Sequence, residues 1–157
     1  QTLTVCMWYG VPAVASALSP SQAREREALF DLGRSCASEH WVRNTMWMSA
    51  AHVCDWQLVG CDGEGRVKVL ALDFNNLTGT LPTSLGWLER LQDLDFEQNH
   101  LFGSVPSTIG ELHSLVQLGL GGNQLSGLLP AEACSPLQRI IGGADERLPP
   151  PCDLSRN

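Results

Sequence analysis

The stretch CDWQLVGC contains the residues of this chain best suited to chemistry. It sets Cys54 and Cys61 seven positions apart, with His52 and Asp62 close by. Such a pair can hold a metal ion, exchange electrons or form a disulfide. A structural metal site needs about four ligands, and the chain has no C-x-x-C or H-x-x-x-H motif. A redox pair is more often a C-x-x-C beside a βαβ unit, so the residues alone leave the role of the pair open.

Catalytic motifs are absent from the rest of the sequence. There is no G-x-S-x-G, no H-E-x-x-H and no P-loop. The segment LGLGGNQ begins like a dinucleotide loop at Gly119 and Gly121, but Gln124 stands where the third glycine is required. We therefore expect no enzyme activity, no metal and no cofactor.

Composition limits the class of partner. The chain has 157 residues, 43% of them hydrophobic and 17% charged, which fits one globular domain. Its net charge is −7 and its pI about 4.9, whereas nucleic-acid binders present clustered Lys and Arg. We expect no nucleic-acid partner, and a protein or peptide partner that is neutral or basic.

The middle of the chain repeats itself. Segments that start at Val67, Leu91 and Leu115 are equally spaced, have no insertions and share the pattern L-x-x-L-x-L-x-x-N-x-L. That pattern and its interval are those of leucine-rich repeats. We call residues 67–90, 91–114 and 115–138 repeats 1, 2 and 3. Their apolar positions should stack inward, and their shared asparagines should satisfy buried backbone groups. The asparagines are Asn75, Asn99 and Asn123.

The segments NNLTGTLPTSLGWL and NHLFGSVPSTIGEL resemble the plant-type class of leucine-rich repeats. Residues 24–66 are similar to the N-terminal cap of that class, with a W-x-x-x-x-x-W segment, the paired cysteines and G-R-V before the first strand. The resemblance covers about residues 24–133. It implies an α/β solenoid: a right-handed superhelix with a short parallel β-sheet on its concave face and a helical N-terminal cap. It also implies a Cys54–Cys61 disulfide.

The predicted division is an apolar N-terminal segment (1–18), an N-terminal cap (19–66), three repeats (67–138) and a C-terminal cap or tail (139–157). Residues 1–18 resemble the back half of a secretory signal; the alternative is an apolar tail packed on the domain. In the cap, Ser19-Pro20-Ser21-Gln22 is typical of a helix start. Three tryptophans should cover the exposed end of the repeat core. These are Trp41, Trp47 and Trp56.

Three further expectations concern cysteines and loops. Cys134 and Cys152 bracket the segment after repeat 3, and we expect a second disulfide there. Cys36 is then a buried thiol or, if the N-terminal segment is retained, a partner for Cys6. Leu58 stands where the resembled cap has glycine, so Gly60 is the candidate to take over that turn.

A partner should bind the concave face, where strand residues between the buried leucines point outward. Four carboxylates beside an exposed aromatic ring could receive a basic peptide; the alternative is a solvated face. Repeat 3 has glycines there, which should leave a flat end open to another backbone. The predicted face consists of Val69, Ala71, Asp73, Phe74, Asp93, Asp95, Glu97, Gln98 and Gln117.

The resemblance implies recognition of a protein or peptide in a secreted or cell-surface setting, or in an organelle lumen. The alternatives are a structural subunit of a larger assembly, or a fragment of a longer receptor kinase whose membrane contact lies in a segment outside this chain. Asn76-Leu77-Thr78 is an N-x-T acceptor, so Asn76 is a predicted glycosylation site.

Overall fold

The computed structural model describes residues 18–130, residue 133 and residues 139–141. The first element is helix α1, Pro20–Ser35. Ser19 caps it as predicted: its hydroxyl accepts from the Gln22 backbone N–H, and the Gln22 side chain accepts from the Ser19 N–H. This reciprocal pair satisfies two backbone donors that a helix start otherwise leaves open. Residues 1–17 and the cysteines Cys6, Cys134 and Cys152 lie outside the described residues, so the second disulfide stays a prediction.

Five strands form the main sheet. They are β1 (Val59–Cys61), β2 (Val67–Ala71), β4 (Asp93–Asp95), β6 (Gln117–Gly119) and β8 (Arg139–Ile141), in the order β1-β2-β4-β6-β8. β2, β4, β6 and β8 are parallel, and β1 joins β2 in the antiparallel direction. The parallel sheet confirms the predicted solenoid, whereas β1 and β8 were not predicted.

The segments that follow the bend of each repeat form a second sheet. It contains β3 (Thr78–Gly79), β5 (His100–Ser104) and β7 (Gln124–Ser126), all parallel. Pro82 and Pro106 are extended as expected, but each one begins a single 3-10 helix, Thr83–Trp87 or Ser107–Glu111. Two shorter 3-10 helices, Ser38–His40 and Val53–Asp55, lie in the cap.

The predicted asparagine ladder is present and buried. The Asn99 Oδ1 accepts from the N–H groups of Asn75 (3.0 Å) and Leu77 (2.9 Å), while its Nδ2 donates to Leu72 O at 2.9 Å. Asn123 repeats the arrangement one turn later, since its Oδ1 accepts from Leu101 N–H. Each carboxamide therefore supplies hydrogen bonds to backbone groups that the turn has removed from water.

The cap closes the first repeat with aromatic rings and one buried ion pair. Trp41, Trp47 and Trp56 are buried and belong to the same apolar core as the leucines of the repeats, as predicted. Glu25, on α1, is fully buried and accepts from Arg66 Nε at 2.7 Å and from the Val67 N–H. Burial raises the pKa of the Glu25 carboxyl, although the bonds to Val67 and Arg66 act in the opposite direction.

The CDWQLVGC loop contains the predicted disulfide, Cys54–Cys61. The expectation that Gly60 takes over its turn was wrong. Leu58 itself adopts the left-handed conformation, with φ +70°, and Gly60 is not among the residues with positive φ. A β-carbon on Gly60 would instead stand 3.0 Å from Val69 Cβ, so this glycine serves the close approach of β1 to β2. Cys36 is free and buried, and burial raises the pKa of its thiol to about 12.

Candidate functional site

Strand register assembles the predicted partner face. Val69, Asp93 and Gln117 are direct neighbours across β2, β4 and β6, and so are Ala71, Asp95 and Gly119. The hydrogen-bond ladder continues beyond the strand ends, because Phe74 N–H donates to Glu97 O and Gln98 N–H donates to Gly121 O. The constant repeat period thus places each predicted residue beside its equivalent in the next repeat.

Phe74 stands at the far end of this face. Its side chain is 66% exposed and its φ is +46°. The equivalent residues of repeats 2 and 3, Gln98 and Gly122, also have positive φ, at +54° and +71°. The bend therefore requires a left-handed residue in each repeat. Only the third repeat meets that requirement with glycine, and a left-handed conformation costs other residues about 1–2 kcal/mol.

Asp93 and Asp95 are half-buried and lie side by side. Burial, and then the charge of Asp95, raise the pKa of Asp93. The Asp93 Oδ1 atom is inaccessible to water and has no hydrogen-bond partner among the described residues. Burial is also the first cause of the raised pKa of Asp95, with Asp73 adding to it, although the Glu97 N–H donates to Asp95 Oδ1 at 2.9 Å. The two carboxylates are thus partly desolvated, and no Lys or Arg among residues 18–130 forms an ion pair with either of them.

Asp73 differs from these two aspartates, because it forms an ion pair with Arg43 of the N-terminal cap. The Arg43 guanidinium lies 3.6 Å from Asp73 Oδ1 and also donates to the Asp73 carbonyl. Sequence reasoning missed Arg43, which is 30 residues away in a loop without local regularity. The Arg43 guanidinium thus offsets the charge of Asp73.

The glycine end of the face is only partly exposed, since Gly119 and Gly121 are buried and Gly122 is exposed. A β-carbon on Gly119 would stand 2.5 Å from Asp95 Oδ1, and one on Gly122 would clash with the Gln98 carboxamide. Gly119 and Gly122 thus make room for side chains of repeat 2, and the approach of a partner's backbone at this end stays a prediction.

The structure also bears on the predicted glycosylation site, on metal binding and on membrane-spanning helices. Asn76 is exposed, with φ +60°, and its Nδ2 donates to His40 O at 3.0 Å. No group of three or more His, Cys, Asp or Glu within the described part of the chain is placed to hold a metal ion. Across that same part, no helix has the length and apolarity needed to cross a membrane.

Known proteins share this architecture. The family model for the leucine rich repeat matches residues 65–125. A chain in the BIR3–SERK2 complex of Arabidopsis thaliana is 33% identical, with a TM-score of 0.62; the match covers 74% of this chain and 67% of that one.

Two longer proteins match over part of their length. PEPR1, in its complex with AtPEP1, is 26% identical with a TM-score of 0.61, and the match covers 74% of this chain and 17% of PEPR1. The ectodomain of the Arabidopsis receptor kinase HAESA, crystallised with an IDA peptide hormone, is 24% identical with a TM-score of 0.63. That match covers 76% of this chain and 20% of HAESA, and it bears on the fold alone. The repeat, the disulfide-stapled cap and the match in the BIR3–SERK2 complex together show that this chain belongs to the leucine-rich-repeat family, in its plant-type form.

Proposed function

We propose that this protein is a non-catalytic module that binds a protein or peptide of basic character through its concave face. Two relatives support a binding role, since PEPR1 was crystallised in complex with AtPEP1 and the BIR3–SERK2 structure is a complex of two proteins. The chain spans about a fifth of HAESA and less of PEPR1, so the partner must be argued from its own residues.

The observation that carries the proposal is an exposed ring at one end of a face whose carboxylates Asp93 and Asp95 form no ion pair within residues 18–130. Phe74 exposes two thirds of its side chain in a left-handed conformation that is costly for a non-glycine residue. Asp93 and Asp95 are partly buried beside each other, and burial disfavours their charged forms. The bend accounts for the backbone of Phe74, as it does for that of Gln98. The exposed ring and the partly desolvated carboxylates are the features that favour a role in binding over a purely solvated face.

A basic partner would offset the charge of the two aspartates and cover the Phe74 ring. A Lys or Arg side chain placed between Asp93 and Asp95 would supply the missing cation and form charge-assisted hydrogen bonds. The Phe74 ring offers an apolar or cation–π contact about one strand length away. The expected ligand is therefore an extended segment with a basic residue and, a few residues away, an apolar or second basic one.

Selection from a random peptide library displayed on phage tests the proposal without a known ligand. The bait is the whole protein, and the counter-selection bait is the Asp93→Asn/Asp95→Asn double variant. We expect the peptides retained by the wild type alone to be enriched in Lys and Arg. A pool with no excess of basic residues, or one retained equally by both baits, would remove the concave face from the proposal.

We further propose an extracellular or cell-surface location. The Cys54–Cys61 disulfide supports it, because disulfides persist in oxidising compartments. Glycosylation of Asn76 belongs to the same proposal, since its side chain is exposed at the edge of the face. Expression through a eukaryotic secretory route should add a mass that glycosidase removes and that Asn76→Gln lacks.

A further inference from the structure

A cavity of about 330 Å³ lies at the end of the main sheet where the strands begin, away from Phe74. It lies outside the predicted partner face, whose first residue along the chain is Val69. Its lining consists of Asp62, Lys68, Arg90, Gln92 and Ser114. This size is near the lower limit of small-molecule sites, which is about 300 Å³.

The solenoid period builds this lining. Gln92 follows Lys68 by one repeat, and Ser114 follows Arg90 by one repeat. The Gln92 N–H donates to the Lys68 carbonyl at 2.8 Å, which fixes these two residues as neighbours across the sheet. Two rows of equivalent positions therefore converge on one space, and the four side chains they contribute all carry hydrogen-bond donors.

Asp62, the carboxylate in the lining, is already saturated. Its Oδ1 accepts from the backbone N–H groups of Glu64 (2.9 Å) and Arg66 (3.0 Å), and its Oδ2 accepts from Arg90 at 2.9 Å. These bonds lower the pKa of the Asp62 carboxyl to about 2. Asp62 thus stays ionised, and its charge is offset by Arg90, which also contacts Glu64.

Lys68 is different, because it has no ion pair within residues 18–130. Lys68 is half-buried and lines the cavity together with Gln92 and Ser114. A set of donors with one unneutralised cation is chemically complementary to an oxygen-rich anion.

We propose that this cavity binds an oxyanion group, a sulfate, phosphate or carboxylate, either as a free ion or as a substituent of a small ligand. Lys68 is the charged anchor, and Arg90, Gln92 and Ser114 supply further donors. Since the protein as a whole carries a charge of −7, long-range attraction does not assist binding, and affinity depends on these local contacts. This site is independent of the concave-face proposal.

Chemical-shift titration of the ¹⁵N-labelled protein tests the site. The probes are sulfate, phosphate, acetate and glucose 6-sulfate, each added against sodium chloride at constant ionic strength. We expect saturable shifts at the amides of Lys68, Gln92 and Ser114. Lys68→Gln should weaken the binding of the tightest probe by about tenfold or more, since it removes a charge-assisted hydrogen bond. Tighter binding of the sugar sulfate than of sulfate would indicate a substituent, and equal binding a free ion.

Arg34→Gln is the matched control, because it removes one exposed cation from α1, remote from the cavity. It should leave the affinity within about twofold. Three results would overturn the proposal: no saturable shift in the wild type, the same affinity in Lys68→Gln, or an equal loss in Arg34→Gln. Unchanged shifts elsewhere in the variant spectra show that folding is intact.

Discussion

Replacing Asn99 with alanine should lower the free energy of unfolding more than replacing Asn75 with alanine does. The Asn99 Oδ1 is the acceptor for two buried N–H groups, those of Asn75 and Leu77. A buried donor left without a partner costs about 1–3 kcal/mol, so the two together cost about 2–6 kcal/mol. Carbonyls that lose the Asn99 Nδ2, such as Leu72 O, add to this. A loss of that size is a large part of the roughly 5–15 kcal/mol typical of a domain.

The matched control is Asn75→Ala, at the cap end of the ladder. Its carboxamide exchanges hydrogen bonds with the backbone of one residue, Arg43, in a part-buried loop. We expect that loss to cost about 1 kcal/mol.

Urea unfolding followed by tryptophan fluorescence measures both variants, because Trp47 and Trp56 are buried in the folded state. An Asn99→Ala loss below about 1 kcal/mol would refute the reasoning, and so would an equal or larger loss in Asn75→Ala.

Two other predictions use the same assay. Gly79→Ala should lower the free energy of unfolding by more than about 2 kcal/mol, because the new β-carbon would clash with the Ser35 carbonyl oxygen. Gly127 also has a positive φ, but a β-carbon there would meet nothing within 4 Å. Gly127→Ala should therefore cost only the backbone strain of about 1–2 kcal/mol. Equal losses would contradict the proposed clash. Asp93→Asn should raise the urea midpoint at neutral pH, since a carboxyl whose pKa is raised on folding destabilises the protein as pH rises through that pKa. This gain should shrink towards about pH 4, where the wild-type carboxyl becomes protonated, and a gain that does not depend on pH would exclude the charge as its cause.

Regular features of the fold were predictable from the sequence. The constant repeat period sets the register, so the buried leucines, the asparagine ladder and the neighbours on the concave face all follow from counting. The cap helix was predictable because Ser19 and Gln22 form a local capping pattern.

Contacts between distant, irregular segments were not predictable. Arg43 reaches Asp73 from a cap loop with no periodic signal, and the Glu25–Arg66 pair joins residues 41 positions apart. The left-handed Leu58 contradicts its own backbone preference, so propensity pointed to Gly60 instead. The packing around the repeat 3 glycines was not predictable, because the Asp95 and Gln98 side chains occupy the space where a β-carbon on Gly119 or Gly122 would stand, and this depends on rotamers. The lining of the Lys68 cavity could have been predicted from the sequence, since aligning the repeats places Lys68 beside Gln92 and Arg90 beside Ser114.

A basic-partner site on the concave face can be tested by the affinity of one selected basic peptide for three forms of the protein. The forms are the wild type, Asp93→Asn/Asp95→Asn, and Glu39→Gln/Glu111→Gln, which removes two exposed carboxylates outside the concave face. We expect the aspartate variant to bind at least about tenfold more weakly while unfolding at a higher urea concentration, and the glutamate control to keep its affinity. Equal weakening in both variants would contradict a specific basic-partner site on the concave face, and so would undiminished binding by the aspartate variant.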